Sequence, residues 1–135
     1  MGAWNFGPFG NDDAADWLCE LEASDDASVI CFALGVIAGG RYLESSECCN
    51  ALAAAEIVPA LLGRPMMGLP NVAGAWVARH RKLDVSSLVE AALSAVRRIR
   101  TDSELKDLWM ESDELAGWST TLDDVTARLS GFLNV

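Results

Sequence analysis

Apart from its carboxylates, the chain has few residues whose types could do chemistry. Its 135 residues include one His, four Cys and 20 Asp or Glu. His80 lies in the basic tract, defined here as residues 79–82, whose cations disfavour its protonated form. The sequence also identifies no carboxylate that would orient it. We therefore expect a solvated or helix-ending His80 rather than a catalytic base.

The four Cys do not have the spacing of a metal site. No Cys-x-x-Cys pair is present, and the adjacent thiols of Cys48 and Cys49 would point about 100° apart on a helix, too far to bridge. Cys19 and Cys31 fall at apolar or semi-apolar positions of expected helices. The pattern favours four buried, reduced thiols, and a metal or redox site is the alternative.

Two pairs of carboxylates, Asp12 with Asp16 and Asp123 with Asp124, could hold a hard cation. Calcium, however, requires about six or more oxygen ligands, and no EF-hand loop is present. The sequence also lacks a Gly-x-Gly-x-x-Gly motif, a Walker loop and a supported Ser-His-Asp arrangement. We expect neither catalytic activity nor a cofactor.

Charge is distributed unevenly along the chain, whose formal net charge is −10. Residues 1–30 hold seven acidic side chains and no basic one, and residues 101–135 hold eight acidic and two basic ones. Residues 31–100, with five acidic and eight basic side chains, are mildly basic. Such a chain repels phosphate backbones and attracts cationic proteins. We expect a basic protein partner, no direct nucleic-acid contact, and a basic tract that lies against the chain's own acidic helices.

The apolar spacing predicts an all-α fold, a compact single-domain bundle of six or seven helices over residues 1–135. Residues 1–10 are expected to form an irregular arm whose Trp4, Phe6 and Phe9 pack on the domain. No basic residue precedes position 41, and the longest apolar run, residues 29–38, is far shorter than the roughly 20 residues that span a bilayer. We expect a cytoplasmic protein without a membrane segment.

Helices are expected at about 12–23, 26–38 and 45–62, in a short segment before the basic tract, and from 84 to about 100. A capping box at Thr101 and Glu104 should begin the next one, and Thr120 or Thr121 the last. Pro59 should kink or end its helix. The segment 26–38 is apolar on nearly every side, which is typical of a central helix, although its β-branched residues leave a strand as an alternative.

The amino-terminal residues resemble a known bacterial family. Gly2-Ala-Trp4, Gly7-Pro-Phe9 and the stretch 11–18, Asn-Asp-Asp-Ala-Ala-Asp-Trp-Leu, are similar to the opening signature of the domain of unknown function 4259. Generic helical blocks extend the similarity along the chain, which departs from the signature at Asn5 and Gly10. The resemblance implies a small helical cytoplasmic protein without a catalytic assignment, similar to the immunity proteins that accompany bacterial toxins.

Three hypotheses for the function follow. The first is an immunity protein that binds a basic toxin, such as a nuclease effector, through its acidic terminal helices. The second is a helical adaptor or a homodimer, and the third is an enzyme or small-ligand binder with a pocket that the sequence does not reveal. For the first, Glu44 is expected to lie outside the binding surface. The residues expected to bind the partner are Asp12, Asp13, Asp16, Glu104, Asp107, Glu111, Asp113 and Glu114.

Overall fold

Seven α-helices and one 3-10 turn form the regular structure of residues 6–39 and 42–133, the part of the chain that the computed structural model describes. These residues include no β-strand, so the all-α prediction is confirmed. The helices are α1 (Asp12–Glu22), α2 (Ser28–Ala38), α3 (Ser45–Leu61), α4 (Asn71–Arg79), α5 (Val89–Thr101), α6 (Glu104–Met110) and α7 (Leu115–Ser130), with the 3-10 turn (Ser86–Leu88) before α5.

The central helix is α3, which packs against all six other helices. Every residue from 51 to 61 is buried. Five of those residues are alanines, whose small side chains let the neighbouring helices approach closely. Pro59 lies in the last turn, two residues before the helix ends, as the expected stop requires.

The prediction that α2 is the central helix is wrong. Ile30, Leu34 and Ile37 point into the core, but Phe32 is 75% exposed and Cys31 is exposed as well. The apolar composition of α2 therefore gives no sign that one side of the helix faces solvent. The strand alternative for this segment is also wrong, because residues 28–38 are helical.

The apolar spacing that predicts α1 and α5 corresponds to a buried stripe on each of the two helices. In α1 the stripe Ala14, Trp17, Leu18 and Leu21 is buried. In α5 the buried residues are Val89, Ala92, Leu93, Ala95, Val96 and Ile99. One continuous apolar core joins these stripes to the side of α3.

Two predicted helix starts are wrong, for a shared physical reason. Helix α5 continues through Thr101, whose hydroxyl donates to the Arg97 carbonyl, so Ser103 caps α6 instead. Thr120 and Thr121 lie inside α7, where their hydroxyls donate to carbonyls of the preceding turn. In both places a hydroxyl that could cap a helix binds within one instead.

The arm prediction is confirmed for Phe6 and Phe9, which are partly buried against the core. Trp4 lies outside the described residues. Among the described helices, none combines the length and the apolarity that crossing a bilayer requires.

Candidate partner-binding face

The first turn of α1 presents carboxylates to solvent. The side-chain oxygen of Asn11 accepts a hydrogen bond from the backbone N–H of Ala14 at 2.7 Å and so caps the helix. Asp12 and Asp13 follow at the positive end of the helix dipole, which favours negative charge. Asp12 and Asp16, one turn apart, are exposed, and Asp13 is half-buried.

Three glutamates meet at the start of α3. Glu44 and Glu47 form a capping box, in which each side chain accepts a hydrogen bond from the other residue's backbone N–H. The Glu104 carboxylate at the start of α6 accepts a hydrogen bond from the Ser45 N–H at 2.7 Å. This contact between residues 59 positions apart brings the acidic carboxyl-terminal segment to the start of α3.

Further carboxylates lie close to the same end of α3. Desolvation, followed by the charges of Glu104 and Asp107, raises the pKa of the Tyr42 hydroxyl. Burial, followed by the charge of Asp13, raises the pKa of the Cys49 thiol to about 12. Carboxylates from α1 and α6 therefore both act on groups at the start of α3.

We define the acidic face as the carboxylates of α1, α3 and α6 around that helix start: Asp12, Asp13, Asp16, Glu20, Glu44, Glu47, Glu104 and Asp107. Glu20 joins the α1 row and lines one groove together with Glu47. No member forms an ion pair with a basic side chain in residues 6–39 and 42–133. Among the residues that the structure describes, no salt bridge therefore neutralises the acidic face.

Of the residues expected to bind a partner, the structure brings five together and leaves three apart. Asp12, Asp13, Asp16, Glu104 and Asp107 belong to the acidic face. The other three are exposed between the end of α6 and the start of α7, without a recorded contact to that face: Glu111, Asp113 and Glu114. Their part in partner binding stays a prediction.

Sequence reasoning missed Glu20, Glu44 and Glu47 as members of this face. It expected Glu44 to lie outside the surface, but Glu44 lines the same depression as Glu47 and Glu104. The three-residue spacing of Glu44 and Glu47 at a helix start was an available signal for a capping box. The proximity of Glu104 depends on the packing of α6 against α3, which no local pattern reveals.

A buried ion pair inside the bundle was also missed. Glu56 of α3 is 2% exposed and accepts a hydrogen bond from Nη2 of Arg128 in α7 at 2.8 Å. Arg128 also binds the Asp124 carboxylate at 2.7 Å and the Arg64 carbonyl at 3.2 Å. Burial raises the pKa of Glu56 to about 7, and the Arg128 charge opposes that shift.

His80 ends α4, as expected, but it is not solvated. Its ring stacks on Trp76 with 4.2 Å between ring centroids, and its Nδ1 lies 2.8 Å from the Trp76 carbonyl oxygen. Its Nε2 lies 3.8 Å from the exposed carboxylate of Asp25. The ring thus packs as part of the helix end.

The expectation that the basic tract lies against the acidic helices is wrong for its strong cations. Arg79, Arg81 and Lys82 are exposed, and no ion pair joins them to a carboxylate of the described chain. Trp76 and Asp25 connect the neighbouring His80 to the carboxyl-terminal end of α1. The basic tract thus follows α4 near the carboxyl-terminal end of α1, whereas Asp12 lies at the amino-terminal end of that helix.

The prediction of four buried thiols is half right. Cys48 and Cys49 are buried, and burial raises the pKa of Cys48 to about 11, which keeps its thiol protonated. Cys19 and Cys31 are exposed because they fall on the outer sides of α1 and α2. In the described residues no group of three or more His, Cys, Asp or Glu could hold a metal ion.

Comparisons with known proteins give one match. The family model described as Domain of unknown function (DUF4259) matches residues 2–121, which is most of the chain. No curated protein and no solved structure gives a significant match.

Proposed function

Because the chain belongs to the Domain of unknown function (DUF4259) family, its function must be argued from its own surface, and we propose that it is an acidic binding protein. In the most specific form of this proposal it is an immunity protein that acts in the cytoplasm. It neutralises a basic bacterial toxin, such as a nuclease effector, by direct binding.

The observation that carries this proposal is the lack of internal neutralisation at the acidic face. Within the described residues, the chain's ion pairs involve four other carboxylates: Asp25, Glu56, Asp123 and Asp124. The eight carboxylates of the acidic face therefore repel one another in the free protein. A cationic partner relieves that repulsion and is attracted to the carboxylates. It therefore binds this surface more favourably than it would bind carboxylates that already pair with the chain's own arginines.

The proposed partner follows from the sign of the charge. An enzyme that cleaves nucleic acid presents cations to hold phosphates, and a negative protein surface can occupy the same cations. Complementary fields also accelerate the encounter by about ten- to a thousand-fold at low salt. Rapid capture suits a protein that must inactivate a toxin before it acts.

The proposal is tested by co-expression with the protein encoded beside this chain's gene. We expect the neighbouring protein to be basic and toxic, and the natural chain to restore growth. The variant to compare is Asp16→Lys with Asp107→Lys, because both side chains are exposed and neither makes a hydrogen bond that the fold needs. Reversing both charges should weaken binding by at least about tenfold and reduce protection.

The matched control is Glu90→Lys, an exposed position of α5 outside the acidic face. It should protect cells as the natural chain does. Equal protection by the Asp16 and Asp107 variant, with both proteins folded by circular dichroism, would remove the acidic face from the binding surface.

Exposed apolar side chains favour a second candidate, a helical adaptor or homodimer. Phe32, Tyr42 and Met67 are 75%, 68% and 96% exposed. Association through them would bury apolar area at the cost of bringing two acidic chains together. Sedimentation velocity over a wide concentration range decides between the candidates: a dimer that dissociates on dilution favours self-association, and a constant monomer excludes it.

A further inference from the structure

A groove lies between α1, α2 and α3, next to the acidic face. Its volume is about 570 Å³. Helix α1 contributes Trp17 and Glu20, helix α3 contributes Glu47 and Asn50, and α2 supplies the rest of the lining. Because Glu20 and Glu47 also belong to the acidic face, the groove and the face share a border.

The α2 wall of the groove is an apolar row. Val29, Phe32 and Val36 are spaced three and four residues apart, so they follow one side of the helix over roughly 10 Å. Phe32 is the most exposed of them, and the other two are half-buried. An exposed aromatic ring flanked by apolar neighbours is a favourable contact for an apolar side chain from outside.

The groove also contains a buried hydrogen-bond acceptor, the side-chain oxygen of Asn50. This oxygen has no hydrogen-bond partner among the residues that the structure describes. A buried acceptor without a donor lowers stability, because it has lost water without replacement. A donor brought by a docked segment would satisfy it.

From these three features we infer that the groove receives a basic amphipathic helix of the partner protein. An apolar side chain of that helix packs on Phe32, and Lys or Arg side chains on either side of its apolar stripe pair with Glu20 and Glu47. A helix fits because the apolar row of α2 forms a ridge along one helix, against which a second helix can pack apolar residues of its own spaced three and four apart. The inference rests on the proposed function and adds a specific way in which the partner docks beside the acidic face.

A second copy of this chain is the less suitable occupant. Its basic tract follows α4, but the apolar stripe of α4 is buried in its own core through Ala73, Trp76 and Val77. That segment can therefore offer charge and one exposed apolar side chain, Val72, but no continuous apolar face. Two chains of net charge −10 would also repel each other.

The test uses the full chain and a pair of synthetic peptides of about 18 residues, or roughly five helical turns. One peptide places Leu on one helical face and Lys on the other. The second has the same composition in a shuffled order without a continuous apolar face. Fluorescence anisotropy measures the affinity of each peptide for the natural chain, Phe32→Ser, Glu20→Gln with Glu47→Gln, and the control Met67→Ser.

The amphipathic peptide should bind at least about tenfold more tightly than the shuffled one, because only it can bury an apolar stripe. Phe32→Ser should weaken binding of the amphipathic peptide by about tenfold, to the affinity of the shuffled peptide. The double glutamine variant should weaken binding mainly at low salt, because it removes charge without removing the apolar row. Met67→Ser, which changes an exposed apolar side chain outside the groove, should leave the affinity unchanged.

Equal affinity of the two peptides, with no effect of Phe32→Ser, would overturn the groove while leaving the acidic face as a binding surface. Absence of binding by either peptide would overturn the groove and count against the proposed function as well. Concentration-dependent dimers of the natural chain that Phe32→Ser abolishes would show a second copy in the groove, and would also overturn the inference.

Discussion

Two ionic side chains, Glu56 and Arg128, share the interior between α3 and α7. Removing a carboxylate from water costs several kcal/mol, and attraction to the half-buried guanidinium recovers only part of that cost. The raised pKa of Glu56 expresses the balance, because burial outweighs the Arg128 charge. Arg128 retains Asp124 and the Arg64 carbonyl as partners when Glu56 is protonated. Glu56 can therefore take up a proton without leaving Arg128 unpaired.

This arrangement predicts a pH dependence of stability. The folded-state pKa of Glu56, about 7, lies above its ordinary value of 4.5, so between those pH values the folded protein holds a proton that the unfolded chain releases. Stability from this group is present at low pH and is lost as the pH rises to about 7. Glu56→Gln cannot ionise, so relative to it the natural chain should lose up to about 3 kcal/mol between pH 5 and 8.

Urea unfolding of both proteins across that pH range measures the difference. Glu90→Gln, an exposed carboxylate on α5, is the control and should follow the natural chain at every pH. Parallel pH profiles for Glu56→Gln and the natural chain would mean that Glu56 stays ionised when buried.

At the scale of the helices, local patterns predicted the segments with one buried side and misjudged the others. Helix α5 repeats its apolar residues at the helical period because a single side faces the core. Helix α3 is alanine-rich and buried nearly all round, and α2 is apolar all round but exposes Phe32. Composition does not show how many neighbours a helix has, so the sequence predicts α2 as the central helix and gives no sign that α3 is.

Two glycines inside helices provide a matched prediction. A Cβ at Gly74 in α4 would meet no atom within 4 Å, so Gly74→Ala should raise the free energy of unfolding by about 1 kcal/mol. A Cβ at Gly117 in α7 would lie 2.7 Å from the ring of Phe6. Gly117→Ala should not raise the free energy of unfolding in the same way, because its methyl group displaces the Phe6 ring from the helix.

Thermal unfolding of the two alanine variants measures this difference. A similar gain at both positions would mean that the Phe6 ring moves aside without cost, and that the amino-terminal arm adds little to stability. The arm was predicted from the mixture of glycines and aromatic residues, and this pair tests the energetic part of that prediction.

The acidic face was predictable only in part, because it joins elements distant in sequence. The acidic first turn of α1 follows from Asn11, Asp12 and Asp13, which a single local pattern contains. The position of Glu104 depends on its hydrogen bond to Ser45 across 59 residues. A sequence shows that both ends of the chain are acidic, but only packing shows that the two ends meet at α3.

At the scale of the whole molecule, charge is arranged along α1. Asp12, Asp13 and Asp16 lie in the amino-terminal half of α1. The basic tract follows α4 near the carboxyl-terminal end of α1, where the Trp76 indole N–H donates to the Ser24 carbonyl at 3.0 Å. An 11-residue helix separates the two regions by about 16 Å, more than a Debye length in physiological salt. The basic tract therefore leaves Asp12 and Asp13 largely unscreened, whereas Glu20, in the last turn of α1, lies closer to the tract. The extent of the single domain and the proposed toxin partner remain predictions.

Capture of a basic partner by the acidic face can be measured through association kinetics. The measurement is the stopped-flow association rate with the basic protein encoded beside the gene, from about 0.02 M to about 0.5 M salt. We expect a rate that falls at least about tenfold over this range, and a much shallower fall for Asp16→Lys with Asp107→Lys. A rate that does not change with salt, or changes equally in the variant and the natural chain, would contradict this expectation.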